Sequence, residues 1–121
     1  MFTYRKQDRL CSPADFKRVY ERKCSVSNQW LIVYACPNGL DRLRLGVSVS
    51  RKVGNAVARN RFKRLYREAF RLSRAELPTG YDVIVLPRSS REPTLADVKQ
   101  SLVALVPAVV RRLANDTNPK R

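Results

Sequence analysis

The sequence predicts an α+β fold, an α/β sandwich built from one small central mixed β-sheet and three helices in the order α-β-β-α-β-α. Three observations carry that expectation. Residues 13–21, 55–73 and the segment from 94 onward place apolar side chains three and four positions apart, the helical period. Residues 30–36 and 81–86 are short β-branched and aromatic runs without that period, and residues 42–50 alternate strictly between apolar and small or polar. A length of 121 residues allows one compact core and little room for a second. The expected organisation is a single domain over residues 1–114, followed by a polar, flexible tail over 115–121.

The first helix is announced by Ser12-Pro13-Ala14-Asp15: Ser12 caps, Pro13 suits the first helical position and Asp15 can answer the cap. Phe16, Val19 and Tyr20 share one of its faces. A short extra strand near residues 25–28 is allowed before the run Trp30-Leu-Ile-Val-Tyr-Ala-Cys36, which reads as a strand buried on both sides or nearly so. Pro37-Asn38-Gly39 ends it. The alternating segment 42–50 reads as its hairpin partner, with Leu43, Leu45, Val47 and Val49 on one face and Arg44, Gly46, Ser48 and Ser50 on the other.

In the second helix, Ala58, Phe62, Leu65, Tyr66, Ala69 and Leu72 form the apolar side, and Asn60, Lys63, Arg64, Arg67 and Arg71 lie opposite. Leu77-Pro78-Thr79-Gly80 breaks the pattern before the strand at 81–86. Thr94 and Asp97 form a capping box for the last helix, whose stripe is Leu95, Val98, Leu102, Leu105, Val109 and Leu113, with a kink expected at Pro107. Trp30 and Phe70 read as core.

Charge is the abnormal quantity. Twenty-five Lys and Arg against ten Asp and Glu give +15 in 13.9 kDa, a self-repulsion that an anionic partner relieves. No apolar run approaches the roughly 20 residues of a membrane span, and the opening MFTYRKQDRL has no apolar signal-peptide region, so a cytoplasmic polyanion binder without a membrane is expected.

The chain has no histidine, which removes Ser-His and Cys-His nucleophiles, imidazole bases and the common His-containing zinc sites. Cys11, Cys24 and Cys36 are odd in number and widely spaced, so they form neither a metal pair nor a disulfide framework and read as reduced thiols. Carboxylates such as Asp8, Asp15, Asp41, Glu68 and Asp82 are scattered singly, against the cluster that two catalytic metal ions require. A self-sufficient nuclease is disfavoured.

The charge is also focused. Nine basic residues and a single acid, Glu68, fall between Arg51 and Arg74. Like charges at i, i+3 and i+4 cost helix stability, so a row of Lys63, Arg64, Arg67 and Arg71 beside Asn60 is better explained by a phosphate backbone than by solvent. Arginine's planar fork binds phosphate bidentately or stacks on a base, which suits structured RNA. Gly54 and Asn55 before the helix let backbone N–H groups approach a phosphate at its positive end, although an ordinary turn explains them too.

The string Ser50-Arg51-Lys52-Val53-Gly54-Asn55-Ala56-Val57-Ala58-Arg59-Asn60-Arg61-Phe62-Lys63-Arg64-Leu65-Tyr66-Arg67-Glu68 closely resembles the signature of the bacterial ribonuclease P protein subunits, whose core is an Arg-Asn-Arg helix. The likeness extends to residues 12–20, 25–34, 45–50 and 81–86 and so covers most of the chain; the C-terminal helix is unspecific. The resemblance implies the protein subunit of an endoribonuclease ribonucleoprotein, in which the RNA subunit removes the 5′ leader of precursor tRNA while the protein binds both. It places Arg59, Asn60, Arg61, Lys63, Arg64 and Arg67 against the catalytic RNA; Arg51, Lys52, Asn55 and Arg71 complete that expected set.

It also implies a cleft for the single-stranded leader, with Phe16 and Tyr20 facing Ile32 and Tyr34 and with Arg88 at the rim. Aromatics over a sheet stack on unpaired bases without selecting sequence. The implied fold joins two parallel strands through the basic helix by a left-handed crossover, against the usual right-handed rule. No catalytic residue or metal ligand is expected in the chain. Mg²⁺ is expected for the RNA-catalysed step, as is one protein per RNA subunit. The alternative is a ribosomal or general structured-RNA-binding protein with no enzyme attached.

Overall fold

The computed structural model describes residues 8–115. Helix α1 (Pro13–Glu21) starts where Ser12 leaves extended backbone and its Oγ accepts from Ala14 N at 3.2 Å. Strands β1 (Ser25–Ser27), β2 (Leu31–Pro37) and β3 (Arg44–Val47) follow, then α2 (Ala56–Ser73), β4 (Tyr81–Pro87) and α3 (Leu95–Asn115). Thr94 and Asp97 form the expected capping box, at 2.9 and 3.1 Å, and α3 runs on through Pro107. Of the expected tail 115–121, Asn115 is the last helical residue and the rest lies outside the described residues.

The sheet is mixed, with order β1-β2-β4-β3. β2 pairs antiparallel with both β1 and β4, whereas β3 pairs parallel with β4. The expected hairpin of β2 with β3 is therefore wrong. β4 comes from far along the chain and inserts between them, and alternation tells which residues face inward, not which strand lies alongside. β3 and β4 are thus the adjacent parallel strands that α2 connects.

The two sides of the sheet are covered unequally. Leu31, Val33 and Ala35 of β2 and Val83 and Val85 of β4 are completely buried against α2 and α3, in one cluster with Phe62, Tyr66, Phe70, Val98 and Val109. Among the described residues, the opposite side carries α1 and the segment before it, which bury Val19 with Leu10, Cys36 and Ile84 and leave Phe16, Tyr20, Tyr34 and Leu86 partly covered. The expectation that 30–36 is buried on both sides or nearly so holds for Leu31, Val33, Ala35 and Cys36, whereas Ile32 and Tyr34 stay half-exposed because nine helical residues do not cover four strands.

Trp30 is likewise only partly buried, packed on the core edge with the Arg91 guanidinium 4.9 Å from its ring centre. Phe70 is wholly buried, as expected. Asp15 turns from the cap toward Arg18, at 3.7 Å, and Arg44, at 4.0 Å.

Candidate nucleic-acid interface

The start of α2 is built by a single 3₁₀ turn, Arg51–Val53, and by Gly54 at φ 154°, ψ −164°, a conformation open essentially to glycine alone. Asn55 then caps the helix, its Oδ1 accepting from Ala58 N at 3.0 Å, which commits its side-chain carbonyl oxygen to the fold. Arg51 and Lys52 lie exposed beside this helix end, whose first turn holds no acid. The peptide dipoles and these two cations attract an anion there together.

Along the helix, Phe62, Tyr66, Ala69 and Phe70 are buried, with the rings of Phe62 and Tyr66 edge to face at 6.1 Å. Burial pushes the Tyr66 hydroxyl far above the usual tyrosine range, and it has no hydrogen-bond partner among the described residues. The other side of α2 opens into a groove of 630 Å³ lined by Asn60, Lys63, Arg64, Arg67, Glu68 and Arg71, and by Arg9 from the N-terminal segment. The structure thus gathers half of the expected RNA-subunit set in one concavity. Arg61 lies on the neighbouring flank, where it pairs with Glu92 at 3.1 Å, and Arg71 is held bidentately by Glu68 at 2.8 and 2.9 Å. The Arg71 guanidinium, through its hydrogen bond and charge, holds the Glu68 carboxyl below the usual range. Arg71 therefore offers less unbalanced charge than the periodicity alone suggests.

A second surface lies between α1 and the sheet, where aromatic side chains stay partly uncovered. Tyr20 meets Tyr34 edge-on at 4.9 Å, and Phe16 is 6.4 Å from Tyr20. Ile32, Tyr34 and Leu86 form its half-exposed floor; Ile32 pairs with both Ser27 and Leu86, and Tyr34 with Ile84. Arg88 stands at the end of β4, its NH1 3.0 Å from Ser27 Oγ and 3.4 Å from the Asn28 carbonyl. All five expected leader residues therefore border one surface.

Two features of this surface escape sequence reasoning. Gly46 of β3 lies directly under Phe16; a Cβ there would stand 2.8 Å from Phe16 Cζ and 3.1 Å from Leu10 Cβ, so a side chain at this position would push the end of the Phe16 ring and Leu10 aside. The other is Asp82, completely buried at the start of β4. It accepts from Arg44 at 2.6 and 2.7 Å, from Asn38 Nδ2 at 2.9 Å and from Arg18. Burial alone would raise its carboxyl, but the hydrogen bonds from Arg44, Asn38 and Arg18 outweigh that and hold it below the usual range. Arg18 also reaches Cys36 Sγ at 2.7 Å, so this group pins α1 to the sheet. In sequence, Asp82 was an isolated acid in an apolar strand, and that oddity was the available signal.

Among the described residues, no three His, Cys, Asp or Glu side chains are grouped to hold a metal ion, and no helix is long and apolar enough to cross a membrane.

Residues 4–110 match the family model described as Ribonuclease P. This chain belongs to that family. It is 41% identical over 99 residues to the ribonuclease P protein component of Clostridioides difficile, covering 80% of this chain and 87% of that one. Among solved structures, the Staphylococcus aureus RNase P protein superposes with a TM-score of 0.70 at 37% identity, over 92% of this chain and 98% of that one. The Thermotoga maritima RNase P protein gives 0.72 at 31% identity, over 91% and 98%. The family's role is processing of the tRNA 5′ end as the protein component of a ribonucleoprotein, and both the element order and the mixed sheet found here match its known structures.

Proposed function

We propose that two surfaces divide the work of ribonuclease P, the α2 groove holding the RNA subunit and the aromatic surface between α1 and the sheet holding the single-stranded 5′ leader of precursor tRNA. Arg51, Lys52, Asn55, Arg59, Asn60, Arg61, Lys63, Arg64, Arg67 and Arg71 contact the RNA subunit; Phe16, Tyr20, Ile32, Tyr34 and Arg88 contact the leader. The observation that carries this is the meeting of Asn60, Lys63, Arg64 and Arg67 in one groove with a single acid, Glu68, while half-buried aromatics face the opposite side of the sheet.

Fixed guanidinium groups neutralise phosphates and release counterions, which supplies affinity and salt dependence. The rings supply stacking of about 1–3 kcal/mol per unpaired base. In this reading bond cleavage belongs to the RNA subunit and its Mg²⁺ ions, in keeping with a chain that has no histidine and, among its described residues, no grouped carboxylates. The protein contributes binding energy from a part of the substrate remote from the scissile bond. The working assembly is cytoplasmic, one protein per RNA subunit, with residues 1–114 acting as a single RNA-binding domain.

The test is reconstitution with a bacterial RNase P RNA subunit. The protein is expected to restore precursor tRNA processing at low Mg²⁺ and to cleave nothing when supplied alone with Mg²⁺. The double reversal Arg64→Glu, Arg67→Glu should weaken RNA-subunit binding and flatten the slope of log affinity against log salt. Unchanged affinity and slope in that folded variant would remove the α2 groove from the RNA interface.

A further inference from the structure

The α2 groove has a second wall that does not come from α2. Arg9 is exposed and lines the same concavity as Lys63, Arg64, Arg67 and Arg71, although it lies more than fifty residues away in sequence. It is held between two buried neighbours. On one side, Leu10 is 3% exposed, packs into the layer beneath α1 and donates from its backbone N to the Leu45 carbonyl at 2.9 Å, while Arg9 bridges Leu45 in parallel fashion along β3. On the other, Asp8 is 1% exposed and its carboxylate receives both terminal nitrogens of Arg74, at 2.6 and 2.7 Å, just beyond the end of α2.

We propose that Arg9 is a further RNA-subunit-binding residue and that Asp8, through its clasp on Arg74, is the positioning residue that holds it against the α2 face. The inference rests on the reading of that face as the RNA-subunit site. Collecting a fifth cation from a separate element raises self-repulsion in the free protein, a cost recovered when a phosphodiester enters between the two walls. Anchoring the backbone on both sides of Arg9 removes most of the ordering entropy that a terminal arginine would otherwise lose on binding. The ligand is the phosphate backbone of a folded RNA, gripped from two directions by groups whose separation is set by the fold.

The experiment measures binding of the full-length chain to a bacterial RNase P RNA subunit across a salt series, with Arg64→Glu, Arg67→Glu as the control. Arg9→Ala should bind more weakly and lower the salt slope by about 1, as expected for one lost phosphate contact, and Arg9→Lys should recover the slope. Asp8→Asn separates positioning from plain electrostatics. Removing a negative charge and releasing Arg74 should, by charge alone, tighten binding and steepen the slope, whereas a loosened Arg9 should weaken binding and make the slope shallower. Affinity and slope unchanged in Arg9→Ala, with the control double variant impaired, would overturn the proposal while leaving the α2 reading intact. Tighter binding by Asp8→Asn would overturn the positioning role. If the control were also unaffected, the failure would belong to the α2 reading itself.

Discussion

The two sides of the one sheet are built to different standards. On the α2–α3 side, β-branched strand residues meet two long helices, and one buried cluster takes in residues from Cys24 to Leu113. On the α1 side, among the described residues, Leu10, Val19, Cys36 and Ile84 are the buried apolar residues of that layer, ringed by half-covered aromatics and anchored by an ionic group at Asp82. Stability therefore resides in the first side and an accessible surface in the second. A sheet dry on both faces would leave no aromatic for a base to stack on, and one wet on both would not fold. The basic face of α2 belongs to neither layer: its helix is fixed by Phe62, Tyr66 and Phe70, which frees the outward side to carry charge that packing would not tolerate.

The sharpest test of that division is to damage each side and read both stability and binding. Phe62→Ala should cost about 3–5 kcal/mol of unfolding free energy in a denaturant titration, since Phe62 is 2% exposed in the larger cluster. A loss below about 1 kcal/mol would show that this side is not the stabilising one.

Phe16→Ala, Tyr20→Ala should do the reverse. Precursor tRNA with a long leader should lose up to a few kcal/mol of affinity for the holoenzyme, at about 1–3 kcal/mol per stacked base. The loss should vanish for a leader of one or two nucleotides and for mature tRNA, while assembly with the RNA subunit is unaffected. Equal losses on long and short leaders would break the assignment of the aromatic surface.

Asp82→Asn tests what holds the thinner side together. Removing the carboxylate leaves Arg18 and Arg44 facing a neutral amide; because both guanidinium groups are partly exposed, the cost should be about 1–3 kcal/mol, below that of a fully buried pair. The pH dependence has a definite sign. A carboxyl held below its ordinary value near 3.9 in the folded state contributes stability above that pH, and the contribution disappears as pH falls through the folded value. Wild type should therefore lose stability more steeply than Asp82→Asn below about pH 4, and parallel acid-unfolding curves would count against the ion group.

Gly46→Ala is the smallest perturbation. The added methyl must displace the far end of the Phe16 ring, so stability should fall by only about 1 kcal/mol while long-leader affinity drops measurably. A variant with normal leader binding would show that the height of α1 above the sheet is unimportant.

The elements themselves were legible in the sequence. Ser12, Asn55 and the Thr94–Asp97 pair mark helix starts, periodicity separates helices from strands, and the run from Ser50 to Glu68 shows both the apolar stripe of α2 and its basic side. Each of these signals is local: a cap acts over three residues and a helical face repeats every three or four, so neighbouring letters suffice. What the letters could not show is which distant segments meet. Insertion of β4 between β2 and β3, the convergence of Asn38, Arg18 and Arg44 on Asp82, the fit of Phe16 over Gly46 and the arrival of Arg9 beside Arg67 all join residues 30 or more positions apart. The free energy that selects those pairings comes from packing helices on both faces of one sheet, fully on one and partly on the other, a property of the assembled layers that no stretch of chain carries alone.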